Sequence, residues 1–284
     1  MSDKKTGPWK FIPTQYFAEG LPYILVNNLS VVMFKSLGIP NDLIGYTSFL
    51  YLPWSLKLFW ASYVDSTATK RSWLLYMQLI LGALFLIIAG AVYLPWFFTL
   101  TLICFTAIAF ISATHDISID GYYLHALDMK DQAFFSGIRS SFYRISMIFG
   151  NGVLVILAGA VGESTGNTEL GWSIAFVLSA AIFLGLFIYH RWILPYPDTD
   201  KPAIDKTKLQ SFKTAFKQYF TQRKIALILL FILLYRFGEG ILVKMSQPFL
   251  LDDLSAGGMA LKVSQVGLYY GTIGVTALLI GGIL

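Results

Sequence analysis

Residues 16–23 read "YFAEGLPY" and put a carboxylate, Glu19, about 8 residues into an apolar stretch running from Phe11 to Leu37. At a rise of ~1.5 Å per residue this is about 12 Å deep, close to the middle of a ~30 Å hydrocarbon layer. An acid there costs about 2.5–3.5 kcal/mol on insertion scales, so it needs a partner or a task. Gln15, Glu19, Tyr23 and Asn27 recur every fourth residue and share one helix face, the pattern of a polar stripe lining a cavity or a neighbouring helix. Gly20 and Pro22 weaken the helix beside the acid. A second constellation lies in "ATHDISIDGYY" and "SGIRSSFYRIS". Asp116 and Asp120 are one helical turn apart after His115, and Arg139 and Arg144 follow on the next apolar segment. If these two helices form a hairpin turning near Met129, Asp120 falls beside Arg139 and Asp116 beside Arg144. Such groups could exchange protons or clamp an anion, with Arg144 the deeper base; a charge cluster that only holds the hairpin is the alternative. Farther on, "RFGEGI" at 236–241 offers Arg236 and Glu239, three residues apart, as a local ion pair or as a second proton and substrate site. Lys57, Asp65, Lys70 and Arg71 flank one interspan junction, where their charges could hold that side of the protein shut; an ordinary orienting role explains Lys70 and Arg71 equally well, but not Asp65. Lys244 is a further base within an apolar span.

The elements that must position these groups are membrane helices. The chain of 284 residues is 56% hydrophobic and only 13% charged, about half the charge of a soluble domain. Eight apolar spans are expected: Phe11–Leu37, Asp42–Val64, Trp73–Tyr93, Trp96–Ala126, Gln132–Val161, Trp172–Leu194, Ile225–Leu251 and Val263–Leu284. The fourth and fifth are longer than a bilayer requires, so their facing ends should project from it, unless the fourth stops near Tyr122. Lys and Arg outside the spans gather in one set of loops; the opposite set holds only Lys35 and Lys262. The positive-inside rule then puts the N-terminus in the cytoplasm of a multi-pass inner-membrane protein. The net charge of +5 therefore reports orientation, and no nucleic-acid partner is expected. The lone Cys104 excludes an internal disulfide. No cofactor or metal pattern is present, nor HExxH, GxSxG or a nucleotide loop, so an enzyme is not expected. The opening residues carry no signal-peptide pattern. Residues 195–224 form a basic linker, "PYPDTDKP" followed by Leu209, Phe212, Phe216 and Phe220 at helical spacing among lysines. This reads as an amphipathic helix on the cytoplasmic surface, or else as a disordered basic linker.

After the linker the opening motif returns. Phe17, Glu19 and Gly20 correspond to Phe237, Glu239 and Gly240, and Ile44-Gly45-Tyr46 to Val266-Gly267-Leu268 with little change of offset. Two six-span halves are the simplest source of such a repeat. The plan resembles the parallel repeats of major facilitator transporters, whose binding site lies between the halves near the midplane. The expected fold is an all-α membrane protein in which residues 1–194 are the first half and 195–224 the linker. Residues 225–284 are then the first two spans of a second half, with about four more spans required.

Particular motifs resemble those of AmpG-like muropeptide permeases, within a wider facilitator group that includes acetyl-coenzyme A carriers and siderophore-uptake permeases. They are "FAEGLP" (17–22), "KLFW" with Asp65 (57–65), "HDISID" (115–120), "YR" (143–144) and "YRFGEG" (235–240). The likeness spans all eight apolar segments, and the Asp116/Asp120 spacing followed by Tyr143-Arg144 is its most specific part. The chain departs from the family at Glu19, where a small polar residue is usual, at His115, where Gln is usual, and near Ser62, where a Pro is missing. The resemblance implies proton-driven import of a cell-wall-derived muropeptide or amino sugar by a monomer embedded in the lipid bilayer. A siderophore or coenzyme A ester is the alternative cargo, and a channel or non-transporting membrane protein the alternative class.

Overall fold

A computed structural model describes residues 7–202, 221 and 224–281. The amphipathic segment around Leu209–Phe220 lies outside them. So do the side chains of Arg236 and Glu239, although the helix backbone runs through both.

All regular structure among the described residues is helical and, apart from short 3-10 turns at Pro8–Lys10 and Leu254–Ala256, falls in eight successive spans. The first comprises Ile12–Ile24, a π-helical segment Leu25–Leu29, and Ser30–Ser36. The second is broken into Asn41–Tyr46, a 3-10 stretch Thr47–Tyr51, Leu52–Leu56 and Leu58–Thr67. The third, fourth and sixth are continuous helices, Lys70–Ala91, Phe97–Ala126 and Thr168–Ile193. The fifth joins Met129–Ile148 to Val155–Thr165 through π-helical Phe149–Leu154. The seventh is Ile225–Leu251, and the eighth runs from Val263–Val266 through π-helical Gly267–Gly274 to Val275–Gly281. Among the described residues, five of these are long and apolar enough to cross a bilayer by length and composition.

Caps set the helix ends where hydropathy cannot. Asp128 accepts from the Asp131 N–H (2.8 Å) and Asn167 from the Leu170 N–H (2.8 Å), so the fifth and sixth spans start earlier than their apolar runs. Gly166, with φ of 69°, ends the fifth span in the left-handed conformation. The fourth span has 30 residues and the fifth 37, so both outrun a ~30 Å layer, as expected.

The hairpin expected of the fourth and fifth spans is the main correction. They meet at their turn, but the first span packs along both of them. Gly20 makes this approach possible: a Cβ there would run into the Ser146 hydroxyl and sit 3.0 Å from the Tyr143 carbonyl oxygen. The third span packs against the fourth and the sixth. An aromatic core fills the space between them, with Phe85 5.5 Å from Phe183 and Phe105 5.9 Å from Phe176 by ring centroids. Tyr76, Ile87, Ile103, Phe110 and Ile188 point outward, an apolar surface suited to lipid.

The two halves are tied at the face opposite the N-terminus. Lys35 pairs with Asp252, and Asn41 donates to the same carboxylate at 3.0 Å. Ser264 donates through its backbone N–H (3.2 Å) and hydroxyl (2.6 Å) to Glu163. The fifth and eighth spans meet backbone to backbone below this, where a Cβ on Gly271 would run into the Asn151 carbonyl. Asp252 lies in the loop after the seventh span, and its hydrogen bond from Lys35 holds its carboxyl below the usual carboxylate range.

Candidate functional site

The first span carries the polar stripe into the bundle. Gln15 is fully buried, and neither amide atom has a hydrogen-bond partner. One turn on, Glu19 has a buried Oε2 that is likewise unpaired. Pro22 lacks the N–H that a helix interior needs, and three residues later the backbone slackens into the π-helical segment. That segment contains Asn27, whose Nδ2 donates to the Tyr23 carbonyl (3.0 Å) while its Oδ1 is buried and unpaired. Tyr23 lies against two aromatic rings of the second span, 5.8 Å from Tyr51 and 5.1 Å from Trp54.

The charges divide into two pairs. Asp120 and Arg139 are 3.4 Å apart, as their depth in the sequence implied. Tyr16 of the intervening first span donates to Asp120 (3.1 Å), and its hydroxyl accepts from Arg139 (3.2 Å). Asp116 does not meet Arg144; its partner is Lys57 of the second span, at 3.6 Å. The reason is the wedge of the first span, which separates the deeper parts of the fourth and fifth helices and leaves the second span as the nearest source of a cation. The fields of Asp116, Asp120, Lys57 and Arg139 all reach Glu19. Arg144 lines a cavity of about 280 Å³ together with Tyr16, Glu19, Asp120, Arg139, Ser140 and Tyr143.

The cluster Lys57, Asp65, Lys70 and Arg71 therefore splits. Lys57 belongs to Asp116. Lys70 pairs with Asp65 across the junction of the second and third spans. Arg71 caps the end of the sixth span, donating to the Arg191 carbonyl (2.7 Å) and the Leu194 carbonyl (3.3 Å) beneath the ring of Tyr196 in the linker. Asp200 closes this strap by accepting from the backbone N–H groups of Lys70 (2.7 Å) and Arg71 (3.0 Å) at the start of the third span.

His115 turns away from the cavity. Its ring is fully buried 6.5 Å from Phe183, and both nitrogens are unpaired. Sequence reasoning passed over a second buried histidine, His190, which bonds Thr14 at 2.8 Å and Gln78 at 2.9 Å. It also left Lys244 without a role. Lys244 is buried and donates to the Asn27 backbone carbonyl at 3.0 Å, across the junction of the halves. The signal was available in each case: a polar residue in an apolar run with no partner at helical spacing.

A sequence model of the Major Facilitator Superfamily matches residues 15–284. The chain belongs to that superfamily. Over 276 residues it is 26% identical to the anhydromuropeptide permease of Escherichia coli K12, an alignment covering 94% of this chain and 52% of the relative. It is 25% identical over 280 residues to the putative transporter AmpG 4 of Rickettsia conorii, covering 93% and 63% respectively. An uncharacterized protein of Haemophilus influenzae is 27% identical over 262 residues, covering 89% and 59%. The chain thus spans between about half and just under two thirds of the length of these curated relatives. Among solved structures, a bacterial homologue of the human lysosomal transporter Spinster, in an inward-facing and unoccupied conformation, superposes with a TM-score of 0.68. It is 16% identical, covering all of this chain and 62% of that one, and supports the facilitator fold. The superfamily match and the likeness to a named permease agree with the motifs in "FAEGLP" and "HDISID".

Proposed function

We propose that this chain belongs to a proton-coupled secondary transporter that imports a cell-wall-derived muropeptide or amino sugar across the inner membrane by alternating access. The observation that carries the reading is Glu19: a buried, unpaired carboxylate oxygen on the wall of a cavity shared with Arg139 and Arg144. A carboxylate that only stabilised the bundle would be saturated with hydrogen bonds, because an unpaired buried acid is costly. A proton carrier must instead exist in two states, and its site cannot be fully committed to one of them. The ties at the face opposite the N-terminus fit a carrier closed to the outside. With the basic loops in the cytoplasm, protons would enter from the outer face and leave to the cytoplasm. A relative named anhydromuropeptide permease supports the cargo. Glu239, the repeat partner of Glu19, is the second candidate for the proton.

Glu19→Gln tests this directly, since the amide copies the shape of the protonated acid. In proteoliposomes the variant is expected to retain substrate counterflow, which needs no net proton movement. It should lose accumulation driven by an imposed pH gradient. Undiminished accumulation would make Glu19 a structural residue.

A further inference from the structure

Resting on the transport reading above, we infer that Lys244 anchors an anionic group of the transported molecule, a carboxylate borne by a sugar or sugar-peptide. Lys244 leaves the seventh span at the junction of the halves and is 6% exposed. Its ammonium spends one hydrogen on the Asn27 carbonyl (3.0 Å) and stands 5.7 Å from the centre of the Tyr51 ring. Among the described residues no carboxylate pairs with it. A buried cation without a counter-charge is costly, whereas a neutral Gln or Ser could satisfy the same carbonyl without that penalty. The charge is therefore placed for something other than the protein backbone.

The surroundings specify what kind of group. Tyr23, Tyr51 and Trp54 form an edge-to-face aromatic set beside the ammonium. Two buried polar atoms beside these groups have no partner: Asn27 Oδ1 and Trp54 Nε1. Gln247, one turn beyond Lys244, is buried too, and the offset that relates Glu19 to Glu239 relates Asn27 to Gln247. Aromatic faces suit the apolar C–H face of a pyranose ring, and free amide and indole groups suit its hydroxyls and N-acetyl group. One cation beside them suits one carboxylate. The groups come from the first, second and seventh spans, so a molecule held here would touch both halves and feel their relative movement.

The test is direct binding to the full chain in lipid nanodiscs. The probes are an anhydro-N-acetylmuramyl peptide, the same compound with its carboxylates methyl-esterified, and acetyl-coenzyme A. A charge-assisted hydrogen bond of this kind should make the acid bind about tenfold to a hundredfold more tightly than the ester. Lys244→Met is expected to lower binding of the acid to the level of the ester and to leave the ester unchanged, which also shows that the variant is folded. Lys244→Arg should keep most of the preference. The inference is overturned if the wild type binds acid and ester alike, if Lys244→Met keeps the preference, or if no probe binds. Binding of acetyl-coenzyme A alone, abolished in Lys244→Met, would keep the anion anchor and sink the cell-wall cargo.

Discussion

The Lys57–Asp116 pair invites the sharpest energetic prediction, because it joins a broken second span to the fourth span and nothing in local sequence ties them. The charges are 3.6 Å apart, with the Asp116 side chain 10% exposed and that of Lys57 32% exposed. At an effective dielectric constant of ~20, Coulomb's law gives about 4–5 kcal/mol at that distance. Water reaching the partly open lysine reduces this, to about 2–3 kcal/mol. Removing Lys57 alone also strands a buried carboxylate whose Oδ1 is already unpaired, so Lys57→Met should destabilise the protein by about 3 kcal/mol or more. Removing both charges, in Lys57→Met with Asp116→Asn, should cost much less than the sum of the single changes. The assay is a double-mutant cycle read by reversible unfolding in mixed micelles, following tryptophan fluorescence. A coupling of about 2–3 kcal/mol is expected. Additivity to within ~0.5 kcal/mol would refute the reasoning and make the pair an incidental contact.

Two further predictions come from the packing and from the closed face. Gly20→Ala places a methyl against Ser146 and the Tyr143 carbonyl, and should destabilise by about 1–3 kcal/mol through overpacking; unchanged thermal stability would show that the fifth span yields there at little cost. At the closed face, Asp252→Asn should weaken the tie to Lys35 and speed labelling of a cysteine put at Val266, which is 1% exposed, by a membrane-impermeant thiol reagent. Because the Asp252 carboxyl is held below its ordinary range, its contribution to closure is complete above that range and is lost only as pH falls through the lowered value. The intact protein should therefore label slowly at neutral and mildly acidic pH and faster only in stronger acid; acceleration near pH 6 would contradict the assignment.

How much of this was legible in the sequence depends on the range of the interaction. Span existence, the projecting ends of the fourth and fifth helices, and the pairing of Asp120 with Arg139 follow from hydropathy, rise per residue and a turn near Met129, all local quantities. The partner of Asp116 was misread because pairing two successive helices is the shortest topology, and only the close approach at Gly20 makes room for the first span between them. That glycine was read as a helix weakener; its larger role is as a contact surface. The cluster from Lys57 to Arg71 was read as one device because its members are near in sequence. In a helix each residue turns by about 100°, and Lys57, Lys70 and Arg71 end on three different partners. Lys244 shows the converse. Its type and depth were plain, yet its meaning rests on a carbonyl in the π-helical segment of the first span and a tyrosine in the second, some two hundred residues away along the chain. A buried charge in such a fold is read from what it lacks on its own helix. Among the described residues of their own helices Glu19 and Lys244 each lack a counter-charge, and the proposed cotransport of a proton with an acidic sugar would need one site for each.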